Sequence, residues 1–339
     1  MRDGTSRRGL LGVGVGVGVV ASVPMVPRAA VAQARPPEAR FPDRPLRLVS
    51  PYATGSTSDN LSRGLAIRLG QELGQPVVVE NRVGGGGIVG TVHVQQSEPN
   101  GYTLLLTTEA TIETLPIIKR GVGYDPDRDF DLLSIMNETP WIIVAAPRLG
   151  ASGLADLVRI GRARPDGLTY SSAGVGTGAH IAGEVFGMAT GIPMTGVHFG
   201  GSVPALTALL SGQVPISFQV PSNVGDLVRT GQLRAIAVAA KQRLEDFPDV
   251  PTAAEGGFPQ LDVSFWVGFA VSRRAPEAVR ERLRAAIRRI AGDPGFQADM
   301  RRVGIVIAPP RTPEETARFI AANRERLAVL VRERGITLD

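Results

Sequence analysis

The chain has no cysteine, which excludes disulfides, thiolate metal sites and cysteine nucleophiles in one step. With no thiols to read, redox chemistry says nothing about compartment. Histidine is almost as scarce. His93, His180 and His198 show no metal-ligand spacing, and neither H-E-x-x-H nor G-x-S-x-G occurs. Charge of one sign is limited too. The formal net charge is +5, but Arg2, Arg7, Arg8 and Arg28 against Asp3 all lie in the first 34 residues, and the rest carries about +2. That is too little for a polyanionic partner, so no nucleic acid is expected. Arginines on predicted helices, as from Arg280 to Arg289, read as a solvated face. After the N-terminus no apolar stretch approaches membrane-spanning length, and the mature protein is expected to be soluble.

What is present is ordinary globular composition, with 43% hydrophobic and 20% charged residues. A length of 339 residues fits two α/β domains better than one small core. The start is basic, then apolar over Leu10–Val26, then small at Ala30-Val31-Ala32 and Ala32-Gln33-Ala34. This pattern predicts an export leader over 1–34, cleaved after Ala32 or Ala34. Ser6-Arg7-Arg8-Gly9-Leu10-Leu11 resembles a twin-arginine signal, and the Gly-Val alternation of Gly12–Val19 keeps hydrophobicity low. An uncleaved anchor is the alternative, because the charge-free span Gly9–Pro27 approaches the roughly 20 residues of a membrane helix.

From Leu46 onward, short β-branched runs alternate with helical patterns, which predicts parallel sheets covered by helices. Strands are expected at Leu46–Val49, Val77–Val79 and Tyr102–Thr107, and in a second set at Trp141–Ala145, Leu168–Ser171, Met194–Phe199, Val214–Phe218 and Leu233–Ala239. Leu61, Leu65, Leu69 and Leu73 form one apolar helix stripe, stopped by Gly74 and Pro76. Pro276–Ala291, Asp293–Val303 and Thr312–Arg334 read as successive helices that pack back on the first lobe.

Ligands of open parallel sheets bind beyond the strand C-termini. Three such loops share one composition: Thr54-Gly55-Ser56-Thr57-Ser58-Asp59, Gly84–Gly87, and Ser171-Ser172 through Gly178. Glycine permits close approach, hydroxyls donate, and open amides at a helix start favour an anion. The competing reading for each loop is a plain helix cap. Asp59 could hold its helix or face the cleft, and His180 could donate to a ligand or cap its turn. Glu109, directly after a strand end, is a candidate acceptor for a ligand hydroxyl or ammonium. Gly85-Gly86-Gly87-Ile88-Val89-Gly90 matches G-x-G-x-x-G with Glu109 nineteen residues after Gly90, which keeps an exported dinucleotide-dependent oxidoreductase as the alternative function. Against it, Asn81-Arg82-Val83 separates strand from glycines.

Pro42-Asp43-Arg44-Pro45, Pro51-Tyr52 with Gly55 and Asp59, Gly74-Gln75-Pro76 through Arg82, Asn100-Gly101-Tyr102, Tyr124-Asp125-Pro126 and Pro248-Asp249-Val250-Pro251-Thr252 together resemble the Bug family, the TctC-like receptors of tripartite tricarboxylate transporters. The resemblance implies an α/β, type II-like periplasmic binding-protein fold. Its two lobes would be 35–138 plus 262–339 and 139–261, joined near Asn137 and Leu261 and closing on a ligand cleft. It implies an extracytoplasmic solute-binding protein in the periplasm, a monomer without cofactor, metal or enzymatic activity. Its partners would be a small carboxylate and transporter membrane subunits, or a sensor kinase in a binding module used for sensing without transport. Carried over by position, the ligand residues are Thr54, Ser56, Thr57, Asp59, Thr108, Glu109, Ser172, Gly174, Thr177, His180, Phe199 and Gln219. The chain departs from the pattern at Thr54 and Ser56, usually Pro and Gly, and at Glu109, in a stretch usually rich in Ser and Gly. It departs also at Gln219, commonly Asp or Asn, and at His198-Phe199-Gly200, in place of Pro-Tyr-Lys. These changes point away from a tricarboxylate and toward a monocarboxylate or small dicarboxylate with an amino, hydroxyl or amide donor for Glu109.

Overall fold

In a computed structural model of the chain, the described residues are 40–337 together with Gly12, Gly14 and Gly16. The leader expected over 1–34, with its two cleavage points, lies outside them. The strands in chain order are β1 (Leu46–Ser50), β2 (Val77–Asn81), β3 (Thr103–Thr108), β4 (Phe130–Pro140), β5 (Ile142–Ala145), β6 (Leu168–Ser172), β7 (Met194–His198), β8 (Ile216–Gln219), β9 (Arg234–Val238) and β10 (Ser264–Ser272). The helices are α1 (Thr57–Leu73), α2 (Ile88–Gln95), α3 (Leu115–Ile118), α4 (Pro126–Asp129), α5 (Leu154–Arg162), α6 (Gly178–Thr190), α7 (Ser202–Leu210), α8 (Pro221–Arg229), α9 (Glu277–Ala291), α10 (Pro294–Arg302) and α11 (Pro313–Arg334).

Two five-stranded sheets have the orders β2-β1-β3-β10-β4 and β7-β6-β8-β5-β9. They are mixed rather than parallel, a correction to the expectation above. In the first sheet β10 runs antiparallel to β3 and β4, and in the second β5 runs antiparallel to β8 and β9. The reason lies in the chain path. β5 follows directly from β4 of the other sheet, and β10 returns after β9. A strand arriving from the neighbouring sheet enters at the end where its new partners finish, so it runs against them. Val267 at the start of β10 accordingly pairs with Thr108 at the end of β3, and Ile142 pairs with Gln219. Both sets of strand C-termini therefore face one junction.

Local sequence explains the helices. The α1 stripe Leu61, Leu65, Leu69 and Leu73 is buried as its spacing requires. Ser56 caps its start and Gly74, at φ +73°, ends it. Thr312 and Glu315 form a capping box at α11 with Pro313 in the first turn. On α9, Val279, Leu283, Ala286 and Ile287 are buried in the first core. Its arginines are not all solvated: Arg280 and Arg284 turn onto the Asp131 carboxylate at 2.8 and 2.7 Å. Among the described residues no helix is long and apolar enough to cross a membrane.

The core of the first sheet fixes where α1 begins, and so where its N-terminal amides point. Phe296 on α10, 1% exposed, packs in that core beside Gly64 of α1. Phe296→Ala should cost about 3–5 kcal/mol, measured as a lowered urea midpoint at unchanged slope.

Candidate functional site: a cleft at the strand ends

A cavity of about 430 Å³ lies where the strand ends of the two sheets meet. The loop after β1 supplies Tyr52, Ser56, Thr57 and Ser58; the loop after β2 supplies Gly84–Gly87; the end of β3 supplies Thr108 and Glu109. From the other sheet come Gly174 and Thr177, Phe199 to Ser202, Phe218 and Gln219, with Asn223 from α8. Trp141 and Phe265, in the segments that pass between the sheets, close one end. The halves touch around it. Thr57 Oγ1 donates to Asn223 Oδ1 at 3.0 Å and shares a 2.8 Å bond with Ser222 Oγ. Gly86, at φ +66°, lies so near the Val175 carbonyl that a side chain would crowd it.

Several expected ligand residues line this cavity: Ser56, Thr57, Thr108, Glu109, Gly174, Thr177, Phe199 and Gln219. Thr54 is exposed and does not. Asp59, Ser172 and His180 lie behind the wall and hold it. Asp59 accepts from Gly55 N–H (3.0 Å), Asn81 Nδ2 (2.8 Å) and Arg63 Nε (2.9 Å). Burial alone would raise its pKa, but these donors outweigh it and hold the carboxyl below its ordinary range. Ser172 Oγ bonds His198 Nδ1 at 2.7 Å and receives Gly174 N–H at 3.3 Å, setting the glycine loop. His180 Nδ1 accepts from Gly176 N–H at 3.1 Å, so its proton sits on Nε2. Burial, aided by neighbouring His198, lowers it to about 4, and the ring is a neutral cap of its own turn.

The aromatic wall of Trp141, Phe218 and Phe265, and Lys119 and Asn223, were not among the expected residues. Asn223 sits in the first turn after β8, where the strand-end rule pointed. Lys119, half-buried, is the one cationic side chain of the wall and makes no ion pair among the described residues. α7 has no side-chain cap at its start, so its Ser202 and Val203 amides are open to an anion, whereas the first amides of α2, Ile88 and Val89, already donate to the Gly85 and Gly84 carbonyls. The glycines that matched a dinucleotide pattern serve packing instead: a side chain at Gly87 would meet Thr111 and Tyr52, and Gly90 lies against Pro51. Among the described residues no acidic or histidine cluster could hold a metal ion.

Glu109 is 7% exposed. Its Oε2 accepts from the Trp266 backbone N–H at 3.3 Å, and its carboxyl also receives the Gly178 N–H at the start of α6. A side chain at 178 would collide with Glu109 Oε1 and the Trp141 ring. Burial, with nearby Glu113 adding to it, lifts Glu109 to about 8 despite the amides. Burial likewise lifts Glu113 to about 7, although Asn323 and Trp266 Nε1 donate to it. Between pH 4.5, the ordinary carboxyl value, and 8, the folded chain thus keeps protons that the unfolded chain releases. Stability is full below that window and falls as pH rises through it, by about 1.4 kcal/mol per pH unit for each such acid. Urea midpoints of wild type and Glu109→Gln across this range should diverge, with the variant flatter and more stable near pH 8; parallel curves would mean that Glu109 ionises freely.

The family model described as the tripartite tricarboxylate transporter family receptor, TctC, matches residues 61–336. Protein BugT of Bordetella pertussis is 33% identical over 302 residues, spanning 88% of this chain and 91% of that protein. Among solved structures, the periplasmic binding protein BugD superposes with a TM-score of 0.80 at 29% identity, covering 88% of this chain and 99% of its own. MatC from Rhodopseudomonas palustris, with bound malate, gives 0.80 at 29% identity over 86% of this chain and all of its own. The chain therefore belongs to the tripartite tricarboxylate transporter receptor family and is a solute-binding protein with the two-lobed periplasmic binding-protein fold.

Proposed function

We propose that this chain captures a small carboxylate outside the cytoplasm and presents it to the membrane subunits of a tripartite tricarboxylate-type transporter. One observation carries the reading: loops from two sheets, each at strand C-termini, converge on a single cavity lined by Ser, Thr and Gly residues and by the starts of α1 and α7. That is the chemistry of anion capture. The wall pairs no nucleophile with a base, and the reading requires only binding and closure, with no reaction and no cofactor. The lobes would be 35–138 plus 262–339 and 139–261, moving about the segments near Asn137 and Leu261. The twin-arginine pattern at Arg7-Arg8 supports export to the periplasm by that route and a cleaved leader. The receptor would act as a monomer; a sensor kinase in place of the transporter would use the same closed surface.

The oxidoreductase alternative is not favoured, since its glycine motif is spent on contacts within the protein. Thermal denaturation of the refolded chain with carboxylates, amino acids, aromatic acids and nicotinamide dinucleotides separates the two. A ligand at 100 times its Kd adds about 2.7 kcal/mol, a shift of a few degrees. Stabilisation by one class of carboxylate is expected. Stabilisation by dinucleotides alone would replace this reading with the oxidoreductase.

A further inference from the structure

The polar groups of the cavity are unevenly placed. Along much of the wall stand Ser56 and Thr57, the starts of α1 and α7 with their unpaired first amides, and Lys119. The corner where β3, β10 and α6 meet is different. Its two amides, from Gly178 and Trp266, already donate to Glu109, and its remaining surface is Trp141 and Phe265. Glu109 makes no ion pair among the described residues. The start of α6 is a place suited to an anion, and the protein fills it with its own carboxyl group.

We propose that Glu109 sets the ligand class: the site takes a monocarboxylate whose far end is uncharged, that end lying against Glu109 and the aromatic corner. The inference rests on the receptor reading above and narrows it. A ligand's second carboxylate would enter a corner whose amides are taken and whose share of this cavity wall carries no cation, Arg326 lining a separate cavity beyond Glu109. Removing an ion from water costs several kcal/mol unless it is paired. Glu109 itself shows the penalty, because even with backbone amides donating to it burial pushes it up to about 8. A hydroxyl, amide or hydrocarbon end meets no such cost, and a hydroxyl or amide still finds a carboxyl partner in Glu109. The open amides elsewhere on the wall remain for the one carboxylate.

Calorimetric titration of the full chain at neutral pH with matched acids tests this: butyrate to octanoate against succinate to suberate. Wild type should bind the best monocarboxylate at least about tenfold more tightly than the dicarboxylate of equal length, or about 1.4 kcal/mol. Glu109→Ser frees the Gly178 amide and should abolish or invert that preference. Glu109→Gln keeps the shape and an acceptor for the amides and should retain it, which also serves if the serine variant does not fold. Dicarboxylates bound by wild type as tightly as their partners, or a glutamine variant without the preference, would overturn the inference and leave the receptor reading standing. Binding of neither series would overturn the inference and leave the receptor reading to the wider thermal screen above.

Discussion

One buried carboxyl group joins the parts of this protein that meet at its cleft. Glu109 ends β3, and its oxygens accept N–H groups from Trp266 on β10 and Gly178 at the start of α6. The two sheets thus share one acceptor at the point where the chain passes between them. The contact needs glycine at 178 and a desolvated acid at 109 together. A buried acid without a cation is costly, and the protein meets that cost by holding the proton. A nearly neutral junction then governs what the adjoining wall can accept.

The rest of the wall is built by groups that never reach the cavity. Asp59 fixes the loop after β1 through Gly55 and Asn81, Ser172 fixes the Gly174 turn, and His180 fixes Gly176. Each satisfies a backbone or side-chain donor that the bent loops leave unpaired, the general condition for burying such loops. The loops can then point other amides inward. This division of labour explains why Ser, Thr, Asp and Gly cluster after the strands: some line the cavity and others hold those that do.

Much of this was legible in the residues. The spacing of Leu61, Leu65, Leu69 and Leu73, the three successive C-terminal helices and the strand-end loops all read correctly, because each is a local pattern with a local cause. β4 and β10 were not read as strands. β4 carries Asp131, Asn137 and Glu138 and its pairing with β10 is interrupted by two bulges, which breaks alternation. Their reversed direction is a consequence of chain path that no local pattern records. Within the site, composition could not separate a hydroxyl that faces the cavity, such as Thr57, from a carboxylate behind it, such as Asp59. Glu109 reads from sequence as an acceptor for a ligand; in the structure its carboxyl accepts amides from Gly178 and Trp266, far away in sequence.

The neutral junction requires Glu109 to hold a proton at neutral pH. Infrared spectroscopy reads this directly, through the carbonyl stretch of a protonated carboxyl group, assigned as the band missing in Glu109→Gln. This band should be present at neutral pH and fade as pH rises through about 8. A spectrum in which Glu109 is already ionised near pH 5 would contradict it, since the junction would then be a stable anion and its influence on the ligand would have to be argued from charge instead.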